Sequence, residues 1–158
     1  MKAAGKITVS AIVIALYVVL MFVSQGFAFG QYQIRIVTAI YSLSYVFPFL
    51  ILPLGISNFL SNTIMGGLGP LDMLGGFLVG IITSSAVYLI GKMKLSKWLV
   101  ILPIIFIPGL MVPIWLSYLL NIPYMVLAPG LCIGQVLPAV AGVFLIQIVE
   151  KYIKRDLK

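Results

Sequence analysis

Long apolar runs, uninterrupted by regular polar positions, make up most of this chain of 158 residues. A helix needs about 20 apolar residues to cross the hydrocarbon core of a bilayer, and the runs predict six crossings. Their predicted bounds are residues 7–27, 34–52, 54–65, 71–90, 98–120 and 124–149. Pro48 lies within the second run and Pro53 ends it, while Pro129 and Pro138 interrupt the sixth. The pattern predicts an all-α membrane protein, a compact bundle of six transmembrane helices.

The other architecture that crosses membranes, the closed β-barrel, would alternate apolar and polar residues over segments of about ten. The run from Leu99 to Ile107 does not alternate. Connections between the predicted spans are short, so we expect residues 1–158 to form a single integral membrane domain. The first run has the basic start of a secretory signal, but it is long for one and no small-residue cleavage site follows promptly. We therefore expect a retained helix.

Basic residues predict the orientation of the bundle. Nine of the ten fall in three clusters, namely Lys2 and Lys6; Lys92, Lys94 and Lys97; and Lys151, Lys154, Arg155 and Lys158. Because positively charged loops stay in the cytoplasm, six crossings put every cluster and both termini there, whereas five crossings would separate the first cluster from the last. Topology thus explains the net charge of +7. We expect no nucleic-acid partner, since no basic stripe with interleaved aromatic residues is present.

Composition narrows the function further. The chain is 63% hydrophobic and 8% charged, with a mean hydropathy of +1.23, whereas soluble domains are about 45–50% apolar and about 25% charged. It has no histidine, three acidic residues and one cysteine, Cys132, which leaves few groups for acid–base, nucleophilic or metal chemistry. The phosphate-binding loop of nucleotide hydrolases is missing from the sequence. We expect no catalytic residues, no metal and no cofactor.

Two ionisable residues stand apart from the basic clusters and the carboxy-terminal tail. Arg35 opens the second predicted span and Asp72 opens the fourth, so the topology places both at the outer side. An ionisable group near hydrocarbon usually faces a partner or an aqueous cavity. Either the two residues form a structural ion pair that clamps the outer loops, or one or both bind a ligand in an outward-facing pocket.

Other polar and aromatic residues are expected at the same level and join the candidate substrate-binding set. Asn58 and Asn62 are four residues apart, so they share one helix face and lie about 6 Å apart along its axis. Hydrogen bonding between helices is an alternative role for such amides, as is the interfacial belt for tyrosine and tryptophan. The remaining candidates are Tyr32, Tyr41, Tyr45, Trp115 and Tyr118, together with Gln135, which is expected deeper, near mid-membrane.

Small residues form a stripe along the first span. Ala4, Thr8, Ala11 and Ala15 are spaced so that they share one helix face, which lets another helix approach closely. Packing inside the bundle and docking of a partner subunit would both produce this stripe.

Together these residues resemble the QueT-type substrate-binding subunits, or S-components, of energy-coupling-factor (ECF) transporters, the queuosine-precursor family. The similar segments are Tyr32-Gln33-Ile34-Arg35, the pair Asn58 and Asn62, and Gly66-Gly67-Leu68-Gly69-Pro70-Leu71-Asp72. Ala11 and Ala15 resemble the small-residue motif by which S-components dock onto the membrane coupling subunit. Family members often carry an acidic residue soon after the arginine, where this chain has Ile36, Val37 and Thr38. That departure bears on the substrate more than on the family.

The resemblance implies a subunit of an ATP-driven importer in the bacterial plasma membrane. It would bind a queuosine precursor, a 7-deazaguanine base, outside and deliver it inward with a coupling subunit and two cytoplasmic ATPases. Asp72 could accept hydrogen bonds from a guanine-like edge, and aromatic side chains could stack on the ring. Two alternatives remain. One is an S-component for another vitamin, in which Arg35 binds a carboxylate or phosphate, and the other is a ligand-free scaffold in which Arg35 and Asp72 pair.

Overall fold

Helices form nearly all of the computed structural model, which describes residues 2–28, 33–66 and 68–156. These ranges contain six α-helices, namely α1 (Ala3–Ala28), α2 (Ile51–Ser61), α3 (Pro70–Lys92), α4 (Ile101–Leu120), α5 (Tyr124–Gly134) and α6 (Val136–Asp156). The same described ranges also contain three 3₁₀ segments (Ile36–Tyr45, Pro48–Leu50 and Lys97–Val100) and one π-helical turn (Asn62–Gly66). No strand occurs within the described ranges, so the predicted all-α fold is confirmed.

In the part of the chain that the structure describes, five helical stretches are long and apolar enough to cross a membrane. They are Ala3–Gly26, Pro48–Gly66, Pro70–Lys92, Lys97–Leu120 and Tyr124–Ile153. These stretches correspond to the first, third, fourth, fifth and sixth predicted spans, although the third begins earlier than expected. By length and composition the chain is a multi-pass membrane protein.

The second predicted span, residues 34–52, is wrong in its bounds and in its form. A 3₁₀ helix occupies Ile36–Tyr45, and the next helix begins at Pro48. A proline disfavours the α conformation at the residue before it, and Phe47 has φ −122° and ψ 85°. The resulting bend separates the two helices. Ten residues at a 3₁₀ rise of about 2.0 Å still cover about 20 Å, so this segment runs through most of the bundle.

The described parts of the three basic clusters lie at one end of the bundle, which we call the lysine end. Three contacts lie there: Lys6 Nζ at 5.9 Å from the centre of the Phe49 ring, the Tyr45 hydroxyl donating to the Leu95 carbonyl oxygen at 3.0 Å, and the ion pair of Lys97 with Glu150. One end of the bundle therefore contains the start of α1, the α3–α4 connection and the later part of α6, as six passes require. Which side of the membrane this end faces stays a prediction.

The last span is interrupted at Gln135, close to Pro138. A proline cannot donate to the carbonyl four residues earlier, and its ring clashes with that carbonyl. For Pro138 the carbonyl belongs to Gly134, the last residue of α5. The interruption places Gln135 in the interior, where 2% of it is exposed.

Polarity is distributed inside out relative to a soluble protein. Large apolar side chains such as Val23 and Ile114 face outward, with 78% and 62% of each exposed. The buried polar residues are Gln33, Arg35, Thr38, Ser42, Ser44, Ser57, Asn58, Ser61, Asn62, Asp72, Thr83, Ser84 and Gln135. Ionisable and amide groups within membrane helices normally face the bundle interior, and here most of the larger ones gather at the end opposite the lysine end.

Candidate ligand-binding site

Arg35 lies just before the 3₁₀ helix and turns inward, with 6% of the residue exposed. Its Nη1 atom donates to Asn62 Oδ1 at 3.3 Å and, more weakly, to Asn58 Oδ1 at 3.5 Å. Both asparagines are buried, one in α2 and one at its carboxy-terminal cap. The predicted sharing of one helix face is confirmed, and that face is the one that meets the guanidinium group.

Asp72 lies in the first turn of α3, where the positive end of the helix dipole favours a carboxylate. Only 1% of it is exposed. The Trp115 indole N–H donates to Asp72 Oδ1 at 2.9 Å, while Asp72 Oδ2 is buried and has no hydrogen-bond partner among the described residues. A carboxylate oxygen can accept two hydrogen bonds, so Oδ2 retains the capacity to accept from a ligand.

Asn62 connects the two charged residues. Its Oδ1 accepts from Arg35, and its Nδ2 donates to the backbone carbonyl oxygen of Asp72 at 3.0 Å. One amide thus holds the start of the 3₁₀ helix and the start of α3 together. The two predicted site residues are therefore parts of a single hydrogen-bonded cluster.

Gln135 reaches this cluster from the α5–α6 break. Its Oε1 lies 2.6 Å from Thr38 Oγ1, and its Nε2 donates to the Gln33 carbonyl oxygen at 3.4 Å. Gln33 has a positive φ of 42°, which is uncommon for a residue with a side chain. The break in the last span therefore fixes the backbone on both sides of Arg35.

Tyr41 forms the floor of the cluster, one 3₁₀ turn beyond Thr38. Its hydroxyl accepts from Asn58 Nδ2 at 2.8 Å and lies 3.0 Å from the Tyr17 hydroxyl of α1. The two tyrosine rings are tilted by 32°, with their centres 5.9 Å apart. Both residues are fully buried. A chain of hydrogen bonds therefore runs from α1 through Tyr41 and Asn58 to Arg35.

A small enclosed cavity lies among these groups. Its polar lining comes from Gln33, Arg35, Thr38, Tyr41, Asn58 and Gln135, and apolar residues of α3, α4 and α5 close it. Its volume is about 10 Å³, which corresponds to about one water molecule. The described residues beside Arg35 thus do not show the outward-facing ligand pocket expected from the sequence, and that pocket stays a prediction.

The structure brings most of the predicted site residues together but not all of them. Asn62, Asp72 and Trp115 lie beside the cavity and are joined to its lining by hydrogen bonds. Tyr45 lies instead at the lysine end, where its hydroxyl donates to Leu95, and Tyr118 is 78% exposed. Tyr32 lies outside the described residues.

Three residues of the cluster were not among the predicted site residues, namely Tyr17, Gln33 and Thr38. Gln33 belongs to the segment that carries the family resemblance, which could have identified it. Thr38 and Tyr17 had no such signal, because their partners Gln135 and Tyr41 lie 97 and 24 positions away.

Ala11 and Ala15 lie on the exposed side of α1, opposite its buried residues Val13, Tyr17 and Met21. Packing within the described bundle therefore does not account for the stripe. The same side of α1 borders an apolar groove against α2.

The donor set of the cluster suits an organic molecule more than a metal ion. No group of three His, Cys, Asp or Glu side chains occurs in the part of the chain that the structure describes. Three amides, a guanidinium group and one carboxylate instead offer several directional donors and acceptors. Such a set can recognise a small molecule that carries both kinds of group.

Comparison with known proteins gives one match. A family model described as QueT transporter matches residues 7–151, nearly the whole chain. No curated protein and no solved structure matches. The matched region contains every residue of the cluster described above, and the family's description agrees with the multi-pass architecture and implies a small-molecule substrate. The chain belongs to the QueT transporter family.

Proposed function

We propose that this protein is the substrate-binding S-component of an ECF importer and that it binds a 7-deazaguanine base. The observation that carries the proposal is the cluster of buried donors and acceptors around Arg35 and Asp72. Burying ionisable groups among membrane helices is costly, and such residues commonly mark a substrate path. A flat base with a polar edge would complement the cluster.

Asp72 is the residue suited to the guanine-like edge. Its Oδ2 can accept from the ring N–H and the exocyclic amine, or from the ammonium of an aminomethyl substituent. Asn58, Asn62 and Gln135 can complement the remaining polar atoms once the ligand displaces their present partners. Trp115 and Tyr41 provide ring faces, and stacking on an aromatic side chain contributes about 1–3 kcal/mol per base in nucleic-acid complexes.

Binding requires the site to open. Pockets for small ligands occupy about 300–1,000 Å³, whereas the present cavity measures about 10 Å³. The ends of the 3₁₀ helix, α3 and α4 would have to separate. Asn62 and Trp115 hold these ends together through Arg35 and Asp72, so the contacts that a ligand would replace are those that close the site.

Transport requires partners in this proposal. The basic clusters support placing the lysine end in the cytoplasm of a bacterial cell, with the plasma membrane as the site of action. A coupling subunit would dock on the exposed Ala11 and Ala15 stripe, and two cytoplasmic ATPases would supply the energy. The protein itself would perform no chemistry.

One observation favours a second candidate, an S-component for an anionic vitamin. Arg35 lines the cavity directly, whereas Asp72 does not. A ligand carboxylate or phosphate could then pair with Arg35 while Asp72 acts as a support. The two candidates differ in the charge of the ligand.

The test is binding by the detergent-purified protein, with small molecules released from it also identified by mass. We expect 7-deazaguanines to bind, and Asp72→Asn to weaken binding about 10- to 100-fold, as expected for a hydrogen bond to a charged group. Glu150→Gln makes a similar change in the ion pair at the lysine end and should leave affinity unchanged. Competition by anionic vitamins but not by deazaguanines would favour the second candidate. Full affinity in Asp72→Asn and in Trp115→Ala would overturn the assigned site.

A further inference from the structure

A groove of about 390 Å³ lies at the lysine end, remote from the cavity beside Arg35. It forms where α3 ends, α4 begins and α6 passes. Its lining includes Tyr45, Lys94, Ser96, Lys97, Trp98 and Gln147, none of which lines the cavity. We propose that this groove binds the phosphate headgroup of an anionic phospholipid.

The depth of the groove matches that of lipid headgroups. One membrane-spanning stretch ends at Lys92 and the next begins at Lys97, so the residues between them lie at the boundary of the hydrocarbon. Trp98 is 54% exposed and packs edge-on against Phe144, with ring centres 6.3 Å apart. Tryptophan is enriched at this boundary because its ring is apolar and its N–H is polar.

The groove offers several donors for phosphate oxygens. Lys94 contributes an ammonium group, and its backbone is held in a left-handed turn with φ 55°. Ser96 precedes the 3₁₀ turn without making a side-chain capping bond, so its hydroxyl is available as a donor. Lys97 is also positive, but Glu150 pairs with it. Charge-assisted bonds from donors of this kind suit phosphate.

Apolar surface continues from the groove along the helices. Leu99, Leu102 and Phe144 are 38%, 51% and 51% exposed, respectively. Leu99 and Leu102 lie on the helix that starts at the groove, in the direction of the hydrocarbon. A phospholipid whose headgroup occupies the groove can lay its acyl chains on this surface, whereas a free anion gains nothing from it. The lipid is therefore the occupant that uses both the charge and the apolar surface.

The test uses the full-length protein in neutral detergent, with lipid retention measured by native mass spectrometry. Phosphatidylglycerol should be retained in preference to phosphatidylcholine. Lys94→Gln should lower phosphatidylglycerol retention about fivefold, because one lysine near an anionic lipid surface contributes about 1 kcal/mol. Lys92→Gln is the matched control. It removes the same charge two residues earlier in the chain, at a side chain that does not line the groove, and it should have little effect. Equal losses in the two variants would indicate general charge attraction and overturn the site.

A second pair of variants changes retention in the opposite direction. Glu150→Gln releases Lys97 and should raise phosphatidylglycerol retention about fivefold, while the same change in a Lys97→Gln background should give no gain. Inorganic phosphate at millimolar concentration should not displace the lipid. Displacement by phosphate, or equal retention of phosphatidylcholine, would contradict a phospholipid site. Unfolding midpoints show whether each variant keeps its fold.

Discussion

Scarcity of charge is what made two candidate site residues identifiable at the scale of single residues. Arg35 and Asp72 are the charged side chains left once the basic clusters and the tail are set aside, and the structure places both in the interior. Their manner of contact was not predictable, because it depends on the side chain of Asn62. An amide can donate and accept at once, and only the fold decides what it faces.

Gly76 makes room for these amides. A Cβ atom at this position would lie 2.5 Å from Asn62 Nδ2 and 3.1 Å from Asn58 Oδ1. In Gly76→Ala the Asn62 side chain should rotate away and lose its bond to the Asp72 carbonyl. Leaving buried polar groups unsatisfied costs about 1–3 kcal/mol, so we expect a lower unfolding midpoint. Ligand affinity should fall at least about fivefold, since about 1 kcal/mol is lost at the site.

Gly26 provides the matched control for that prediction. It lies in α1, and a Cβ atom there would meet nothing within 4 Å. Gly26→Ala should be neutral or stabilise by up to about 1 kcal/mol, the helix preference of alanine over glycine. The variants would be compared by two measurements. Size-exclusion chromatography after heating gives the unfolding midpoint, and ligand titration gives the affinity. Unchanged affinity in Gly76→Ala would show that the amides do not contact the ligand.

The elements of the fold were largely predictable because long apolar runs and prolines are local signals. The start of α3 at Pro70 and the interruption near Pro138 follow from them. The second span was not predictable in form, since no simple sequence rule distinguishes a buried 3₁₀ helix from an α-helix. Its buried face meets α3 and α6, and such tertiary packing overrides the backbone preference of Ile36–Tyr45.

Pro138 allows a prediction about the break between α5 and α6. In Pro138→Ala the backbone N–H could bond to the Gly134 carbonyl, and α5 and α6 would tend to join. Gln135 would then leave its partners Thr38 and Gln33. Because alanine favours a helix interior by about 3 kcal/mol over proline, we expect thermal stability to be kept or raised while ligand affinity falls. Pro129→Ala makes the same substitution in α5 away from the break and should leave affinity unchanged, so equal affinity in both variants would show that the break is dispensable for binding.

For the whole molecule, the positions of the basic residues predict six passes, a number that helix length alone does not give. Among the described residues, five stretches have the length and hydropathy of a full span. The described lysine clusters nevertheless share one end, because the short 3₁₀ segment also runs through most of the bundle. That end and the polar cluster are separated by the length of α3. The polar cluster and the lysine end are thus distinct parts of the bundle, at opposite ends of α3.

The exposed face of α1 carries the last prediction, because it separates ligand binding from transport. Among the five long apolar stretches of the described chain, this helix is the least buried: 17% of an 18-residue apolar window is buried, against 39% in each of the other four. Ala11 and Ala15 lie on its outer side. Ala11→Trp or Ala15→Trp should therefore leave ligand affinity of the isolated subunit intact but abolish uptake in cells that carry the coupling subunit and ATPases, since a bulky ring prevents close helix approach. Val23→Trp adds the same ring at a site that is 78% exposed and about 120° around the helix from Ala11, and it should keep both activities. Both alanines lie on the outer surface of the bundle, remote from the polar cluster, so a loss of uptake without a loss of affinity would assign the coupling contact to this face. Normal uptake in the Ala11 and Ala15 variants would place that contact on another face.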